Sequence, residues 1–218
     1  MDTPPATPIA LYRHALSGHS HRVELFLGLL GLPVTLVDVD LVGGEHRQPA
    51  FRAVNRFGQV PVIDDGGTLV ADSNAILTYL ALRYAPEHWL PREPLRAARM
   101  QQWLSQAAGA LSRGAATARA IHVFRLGRDT QAAVQEAHWL FERVEASLVD
   151  SGEPWLAGGT LPTIADIAMY TYTAHAPEGG ISLDAYPALR TWLARVEALP
   201  GFMPMATTAV GLRADRVG

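Results

Sequence analysis

The residues best suited to chemistry lie at 55–73, Asn-Arg-Phe-Gly-Gln-Val-Pro-Val-Ile-Asp-Asp-Gly-Gly-Thr-Leu-Val-Ala-Asp-Ser. Two short apolar runs flank a turn there and end on an acid followed by a helix-capping serine. The stretch suggests a peptide-binding edge beside an anion-binding helix. Backbone amides at the start of a helix after Ser73 point outward unpaired, and the helix dipole adds partial positive charge, so a carboxylate is welcome. Asp72 beside it could pair an ammonium, so a group carrying both charges on one carbon fits the two residues. Plain helix capping is the competing, structural reading of Asp-Ser. A second cluster, Ser17-Gly18-His19-Ser20, interrupts an apolar run and offers helix caps. His14, His19 and His21 raise the question of a metal, but no ordered Cys, Asp or Glu set accompanies them, and none is expected. No cysteine occurs in the 218 residues, which excludes disulfides, thiolate metal sites and protein thiol nucleophiles.

The elements that must position these residues can be read from periodicity. Residues 9–12 form a short apolar strand, and Val23, Phe26, Leu27 and Leu30, at i, i+3, i+4 and i+7, predict a helix closed by Gly31 in a left-handed cap. Val37, Val39 and Leu41 share one face of a strand at 34–41, completing a βαβ unit. Gly43-Gly44 loosens the chain, 49–54 could form one or two helical turns, and 60–64 resumes an extended pattern. Asp65-Gly66-Gly67 joins that strand to 68–70 in a hairpin, because Asp-Gly tolerates positive φ. Ser73 is expected to N-cap a helix carrying Ile76, Leu77, Leu80 and Tyr84 that ends before Pro86.

Beyond a stiff connector with Pro86, Trp89, Pro91 and Pro94, strand-like alternation disappears. Residues 93–120 read as helix, and Val134, Ala137, Phe141, Val144 and Leu148 form the apolar stripe of the next. Thr163 with Asp166 resembles a capping box whose loss costs about 1 kcal/mol. A last helix starts at Pro187, buries Leu189, Trp192, Leu193 and Val196, and stops near Pro200-Gly201. The expected division is a flexible tail at 1–8, an α/β domain at 9–85, a linker at 86–94 and an all-α domain at 95–218.

Composition limits the partners. With 49% apolar and 18% charged residues and a net charge of -3, the chain reads as an ordinary soluble globular protein without the basic surplus that nucleic acid requires. The first eight residues lack a basic n-region and an apolar h-region, and no apolar run approaches about 18 residues, so neither secretion nor a membrane span is expected. A cytoplasmic protein follows.

Four motifs, by their order and spacing, carry a resemblance over nearly the whole chain. They are Leu-Ser-Gly-His-Ser-His-Arg-Val at 16–23, Gly-Glu-His-Arg-Gln-Pro at 44–49, Asn-Arg-Phe-Gly-Gln-Val-Pro-Val at 55–62 and Ala-Asp-Ser-Asn-Ala-Ile at 71–76. The sequence resembles the cytosolic glutathione transferase superfamily, in a bacterial-type, serine-containing form. This implies an N-terminal thioredoxin-like domain, βαβ then α-ββ-α, followed by a C-terminal helical bundle. It implies that Asp72 and Ser73 hold the γ-glutamyl end of glutathione and that Gln59 contacts the tripeptide. Val60-Pro61 would be cis, with the Val60 backbone pairing the cysteinyl unit like an added strand, although the sequence alone leaves the isomer open. His46 and Arg47 would grip the glycine carboxylate, Arg standing where Lys is expected.

Ser17 is the expected thiol-activating residue. A free thiol has a pKa of about 8.5 and reacts as its thiolate. Serine cannot act as the base, but its hydroxyl can donate a hydrogen bond to sulfur, aided by helix amides and by His19 or His21. Lowering the pKa by about 2 units corresponds to roughly 2.7 kcal/mol. Ser20 competes for this role, and Tyr12 is a weaker candidate. His19, where similar chains carry Asn, is placed among the glutathione contacts, with a surface loop position as the alternative. Met100, Trp103, Leu104, Leu111, Ile121 and Phe124 could line an acceptor pocket or simply form core, and Arg113 and Arg119 could reach the site. The implied activity is attack of glutathione, as co-substrate, on a small electrophile. A glutathione-dependent disulfide reductase or peroxidase, or a non-catalytic binding protein, remain as alternatives. A homodimer is implied, with Phe57 as an apolar contact.

Overall fold

The computed structural model describes residues 5–206 and 208. Residues 1–4 of the expected tail, and 207 and 209–218 of the expected helical domain, lie outside the described residues. Contacts divide the chain into two compact units, one through Glu87 together with Leu199–Ala206, the other spanning His88 to Ala198.

The first unit is built on strands β1 (Ile9–Arg13), β2 (Val34–Asp38), β3 (Val62–Asp65) and β4 (Thr68–Ala71), in the order β2-β1-β3-β4. β1 pairs parallel with β2 and antiparallel with β3, and β3 forms an antiparallel hairpin with β4. Asp65 pairs with Thr68, so the turn residues are Gly66 and Gly67, with φ of 59° and 94°. A two-residue turn with both φ values positive suits glycine because it has no Cβ. Alternation splits the sheet into two faces. Ile9, Leu11 and Ile63 are wholly buried on the face met by helices α1 (Gly18–Leu29) and α3 (Ser73–Tyr84). Tyr12 and Val62 pair on the other face, where they pack with Val39 and with Phe51 of helix α2 (Pro49–Val54). β2 ends earlier than its apolar alternation suggests, because β1 offers no partner beyond Arg13. Val39 and Leu41 still turn inward, joining the Phe51 cluster.

The second unit is helical, with α4 (Pro94–Ala108), α5 (Thr117–Val123), α6 (Gln131–Ser151), α7 (Ile164–Ala174) and α8 (Pro187–Glu197). The helix expected over 93–120 is interrupted at Gly109 and by a π-helical turn at Ser112–Ala116, whose Gly114 lies against the α6 backbone at Ala137. α6 buries Ala133 and Leu140 along with the expected Ala137, Phe141, Val144 and Leu148, while Val134 is half-buried. Every residue of α7 from Ile164 to Thr173 is buried, which makes it the core of this unit.

Candidate active site

Register alone gathers the chemistry of the first unit at one end of its sheet. Tyr12 pairs with Val62 and Val62 with Ala71, so the exit of β1, the entrance of β3 and the exit of β4 lie side by side. Ser17 and His19 follow the first, Val60 and Pro61 precede the second, and Asp72 and Ser73 follow the third. The Val60-Pro61 peptide is cis, the isomer the resemblance implies.

Ser17 caps α1, and its Oγ accepts from the Ser20 amide at 3.2 Å. A hydroxyl has two lone pairs and one hydrogen, so this cap leaves the hydrogen available to donate. Ser20, the competing candidate, is 1% exposed, and its Oγ accepts from the His14 amide at 3.3 Å. Tyr12 packs edge-to-face on Phe51 at 6.3 Å between centroids, so it belongs to the core.

The start of α3 corrects one expectation. Asp72, not Ser73, is the N-cap: its Oδ1 accepts from the amides of Asn74 at 2.9 Å and Ala75 at 3.0 Å. Its backbone has φ 73°, a conformation that a residue with a Cβ adopts at a cost of order 1–3 kcal/mol and that clusters at functional sites. The Asp72 carbonyl takes the Ile76 amide. Few helix amides are therefore left for a ligand, and Ser73 supplies the remaining first-turn donors. Its Oγ accepts from Arg22 Nη1 at 2.8 Å and lies 3.4 Å from His19 Nδ1. Burial, and then the Arg22 guanidinium, push the His19 imidazole down to about 3. His19 is thus neutral near pH 7 and supplies no positive charge to a thiolate. His21, on the same helix, is buried, and its Nε2 donates to the Met203 carbonyl at 2.9 Å. That bond ties α1 to the segment Leu199–Ala206.

Gly58 joins the remaining candidates. It has φ 61°, and a Cβ there would meet the His46 carbonyl oxygen at 2.7 Å, so only glycine lets the loop before Gln59 press against the turn Glu45–Arg47. Asn55 shapes the same loop: its Nδ2 donates to the Gln59 carbonyl at 2.8 Å and its Oδ1 accepts from Phe57 N at 3.1 Å. Gln59 and Arg47 are exposed, and Arg47 Nε donates to His46 Nε2 at 3.2 Å.

Sequence reasoning missed Arg22. It is 1% exposed and its Nη1 also donates to Asn74 Oδ1 at 2.9 Å. The signal was its position four residues before Phe26, which puts a cation on the buried face of α1. Of the residues expected to line an acceptor pocket in the second unit, Met100, Trp103, Leu104, Leu111 and Ile121 are core and Phe124 is exposed. Arg119 is buried and donates to Glu178 Oε2 at 2.7 Å, with His175 Nδ1 3.0 Å from the other carboxylate oxygen. Arg113 pairs with Glu136. Both arginines thus have partners within the helical unit. Among the described residues no cluster of His, Asp and Glu could hold a metal ion, and no helix is long and apolar enough to cross a membrane.

A four-stranded thioredoxin-like domain with a cis proline and a capped helix beside it, followed by a helical domain, defines the class. Family profiles described as "Glutathione S-transferase, N-terminal domain" and "Glutathione S-transferase, C-terminal domain" match residues 16–83 and 116–200. A maleylacetoacetate isomerase of Pseudomonas aeruginosa is 32% identical over 88% of this chain and 92% of its own length. Human glutathione S-transferase theta-2 is 28% identical over 88% and 82%. The crystal structure of a glutathione S-transferase from Pseudomonas fluorescens superposes with a TM-score of 0.84 at 33% identity, covering 91% of this chain and 99% of that one. The chain belongs to the glutathione S-transferase family, which uses glutathione as co-substrate.

Proposed function

We propose that the protein is a glutathione transferase in which Ser17 stabilises the glutathione thiolate for attack on a small electrophile. The carrying observation is the sheet register, which lines up Ser17, Val60-Pro61 and Asp72-Ser73 at one end. In this reading the Ser73 amide and hydroxyl hold the α-carboxylate of the γ-glutamyl unit, and the exposed Asp72 pairs its ammonium. The Val60 backbone receives the cysteinyl unit, Gln59 contacts the tripeptide, and His46 with Arg47 meets the glycine carboxylate. The sulfur then lies near the Ser17 hydroxyl, which donates to it from the dipolar start of α1. His19, neutral near pH 7, lies beside Ser73 and keeps a single ring N–H as a hydrogen-bond donor. Glutathione alone supplies the sulfur. The first unit is the glutathione-binding domain and the second the helical one, in a cytoplasmic homodimer for which Phe57, 75% exposed, is a candidate contact.

The test is a pH profile of conjugation to an aryl halide. Ser17→Ala should shift the thiol ionisation toward that of free glutathione, and an unchanged profile would overturn the role of Ser17.

One observation favours a second reaction on the same site, namely the 32% identity to a protein named maleylacetoacetate isomerase. Addition of the thiolate to an activated double bond, rotation about the resulting single bond and elimination of the thiolate would isomerise such a substrate without consuming glutathione. Isomerisation of maleylacetoacetate at a catalytic level of glutathione supports this reading; a requirement for stoichiometric glutathione opposes it.

A further inference from the structure

Ser17 is held by three bonds: its amide donates to the His14 carbonyl at 2.9 Å, its Oγ accepts from the Ser20 amide at 3.2 Å, and its carbonyl accepts from the His21 amide at 2.9 Å. All three lie within residues 14–21, so they fix the shape of the turn and not its place in the molecule. Placement needs ties to other elements. Arg22 gives one, to α3. His21 gives another on a different side of the helix, since successive residues of an α-helix point about 100° apart. Its partner is the strap Leu199–Ala206, an irregular segment that belongs to the first unit. The strap follows α1 for two turns, because His21 and Gly28 are seven residues apart and share a face. A Cβ at Gly28 would meet Met203 Sδ at 2.6 Å and the Gly201 carbonyl oxygen at 2.9 Å. One at Gly201, whose φ is 85°, would meet the Gly28 carbonyl oxygen at 2.6 Å. Two glycines thus let backbone press on backbone at the last turn of α1. At the first turn His21, 4% exposed, donates from Nε2 to the Met203 carbonyl at 2.9 Å. A carbonyl only accepts, so Nε2 carries the hydrogen, and the bond satisfies a polar ring that burial would otherwise penalise.

We propose that His21 is a positioning residue for Ser17, holding the first turn of α1 in place by anchoring it to the strap at Met203. A hydrogen bond to sulfur weakens steeply as its donor tilts or recedes, so a small drift of this turn costs thiolate stabilisation. The contacts to the rest of the tripeptide belong to Gln59, Val60, Asp72 and Ser73 on other elements and are left in place. The proposal rests on the glutathione reading of the site.

Two readouts separate this role from a merely structural one: the ionisation of bound glutathione, followed by thiolate ultraviolet absorbance against pH, and its affinity by calorimetric titration at a pH where it binds as the thiol. His21→Leu removes the donor and should raise the bound thiol pKa by about one unit, toward that of free glutathione, while affinity for the thiol form changes by less than about threefold. His21→Gln, whose amide nitrogen can still donate to the Met203 carbonyl, should keep the pKa within about 0.3 units of the wild type. Gly201→Ala works from the strap: its Cβ pushes the segment off Gly28 and should raise the pKa with His21 intact. It carries the comparison if the leucine variant does not fold. Both variants break one tie, so the double variant should shift no further than the larger single shift. An unchanged ionisation in His21→Leu, additive shifts in the double variant, or a tenfold loss of affinity for the thiol form overturns the role of His21. A shift in Ser17→Ala with none in His21→Leu overturns that role alone. Failure of the wild-type protein to bind glutathione at millimolar concentration overturns the glutathione reading itself, and the positioning role with it.

Discussion

Among the helix starts capped by a side chain, those of α1, α3 and α7 invite comparison, and two of them differ from the third in what remains after the helix is satisfied. At the start of α7, Asp166 is completely buried, and its oxygens accept from four donors: Leu156 N, Trp192 Nε1, Thr163 N and Thr163 Oγ1. A carboxylate offers about four lone-pair sites, so this one is saturated. At the start of α3, Asp72 is exposed and both of its cap bonds go to Oδ1. At the start of α1, Ser17 accepts one bond and retains its hydrogen. A cap with all its capacity engaged and no access is architecture. A cap with capacity left, at the open end of a sheet, is a place for a ligand.

The largest effect should come from breaking the saturated start. Asp166→Ala leaves the Leu156 and Thr163 amides and the Trp192 indole without their acceptor, at about 1–3 kcal/mol for each buried unsatisfied donor. A loss of at least about 3 kcal/mol is expected, well beyond the roughly 1 kcal/mol of an ordinary cap, and thermal denaturation reads it. A loss near the cap value would show that burial adds nothing, and would erase the distinction between the starts. Burial raises the Asp166 pKa against the donors that lower it, which marks how much the carboxylate depends on them.

Ser17→Ala should show the reverse pattern. Stability falls by about 1 kcal/mol for the lost cap, while thiolate stabilisation falls by roughly 2.7 kcal/mol, which lowers the thiolate fraction, and with it the conjugation rate, about 25-fold at pH 7. Parallel measurement of denaturation and of rate against pH decides it: losses in the same proportion at both readouts would place Ser17 with Asp166.

This contrast explains how much was legible in the sequence. The elements were, because Val23, Phe26 and Leu27, or Leu189, Trp192 and Leu193, repeat with a helical period on wholly or largely buried faces. The Thr163 and Asp166 box was legible for the same reason, since it is local. Its strength was not, because Leu156 and Trp192, 10 and 26 residues away, lie outside the box itself. At α3 the acid and serine are both legible, but which of them caps depends on the Asp72 backbone at φ 73°, a conformation that is uncommon outside glycine and that residue type alone does not locate. Arg22 went unassigned because its partners lie 51 and 52 residues away. His19 showed only a side chain with two possible charges, and its neutrality comes from burial.

Asp72→Asn sharpens the comparison at the open start. The amide oxygen can still accept from Asn74 and Ala75, so stability should change by no more than about 0.5 kcal/mol. The negative charge is gone, so a ligand ammonium loses its partner, and glutathione affinity should fall about tenfold, or about 1.4 kcal/mol. Calorimetric titration beside thermal denaturation tests both halves. Unchanged affinity would confine Asp72 to capping.

The smallest effect concerns the residue between the two open starts. His19 is held down to about 3 in the folded protein, against about 6.5 when exposed. Between those values the unfolded chain binds the proton and the folded chain does not, so stability falls as pH drops through 6.5. From pH 7.5 to 6 the contribution is about 0.8 kcal/mol. His19→Gln removes it, and other titrating groups largely cancel in the difference between the two proteins. Urea denaturation of both at the two pH values should therefore show the wild-type protein losing about 0.8 kcal/mol more than the variant. Equal losses would mean that His19 is hydrated in the folded state. The gap between Ser17 and Ser73 would then be wet, and the two open starts would act as separate sites rather than as the ends of one.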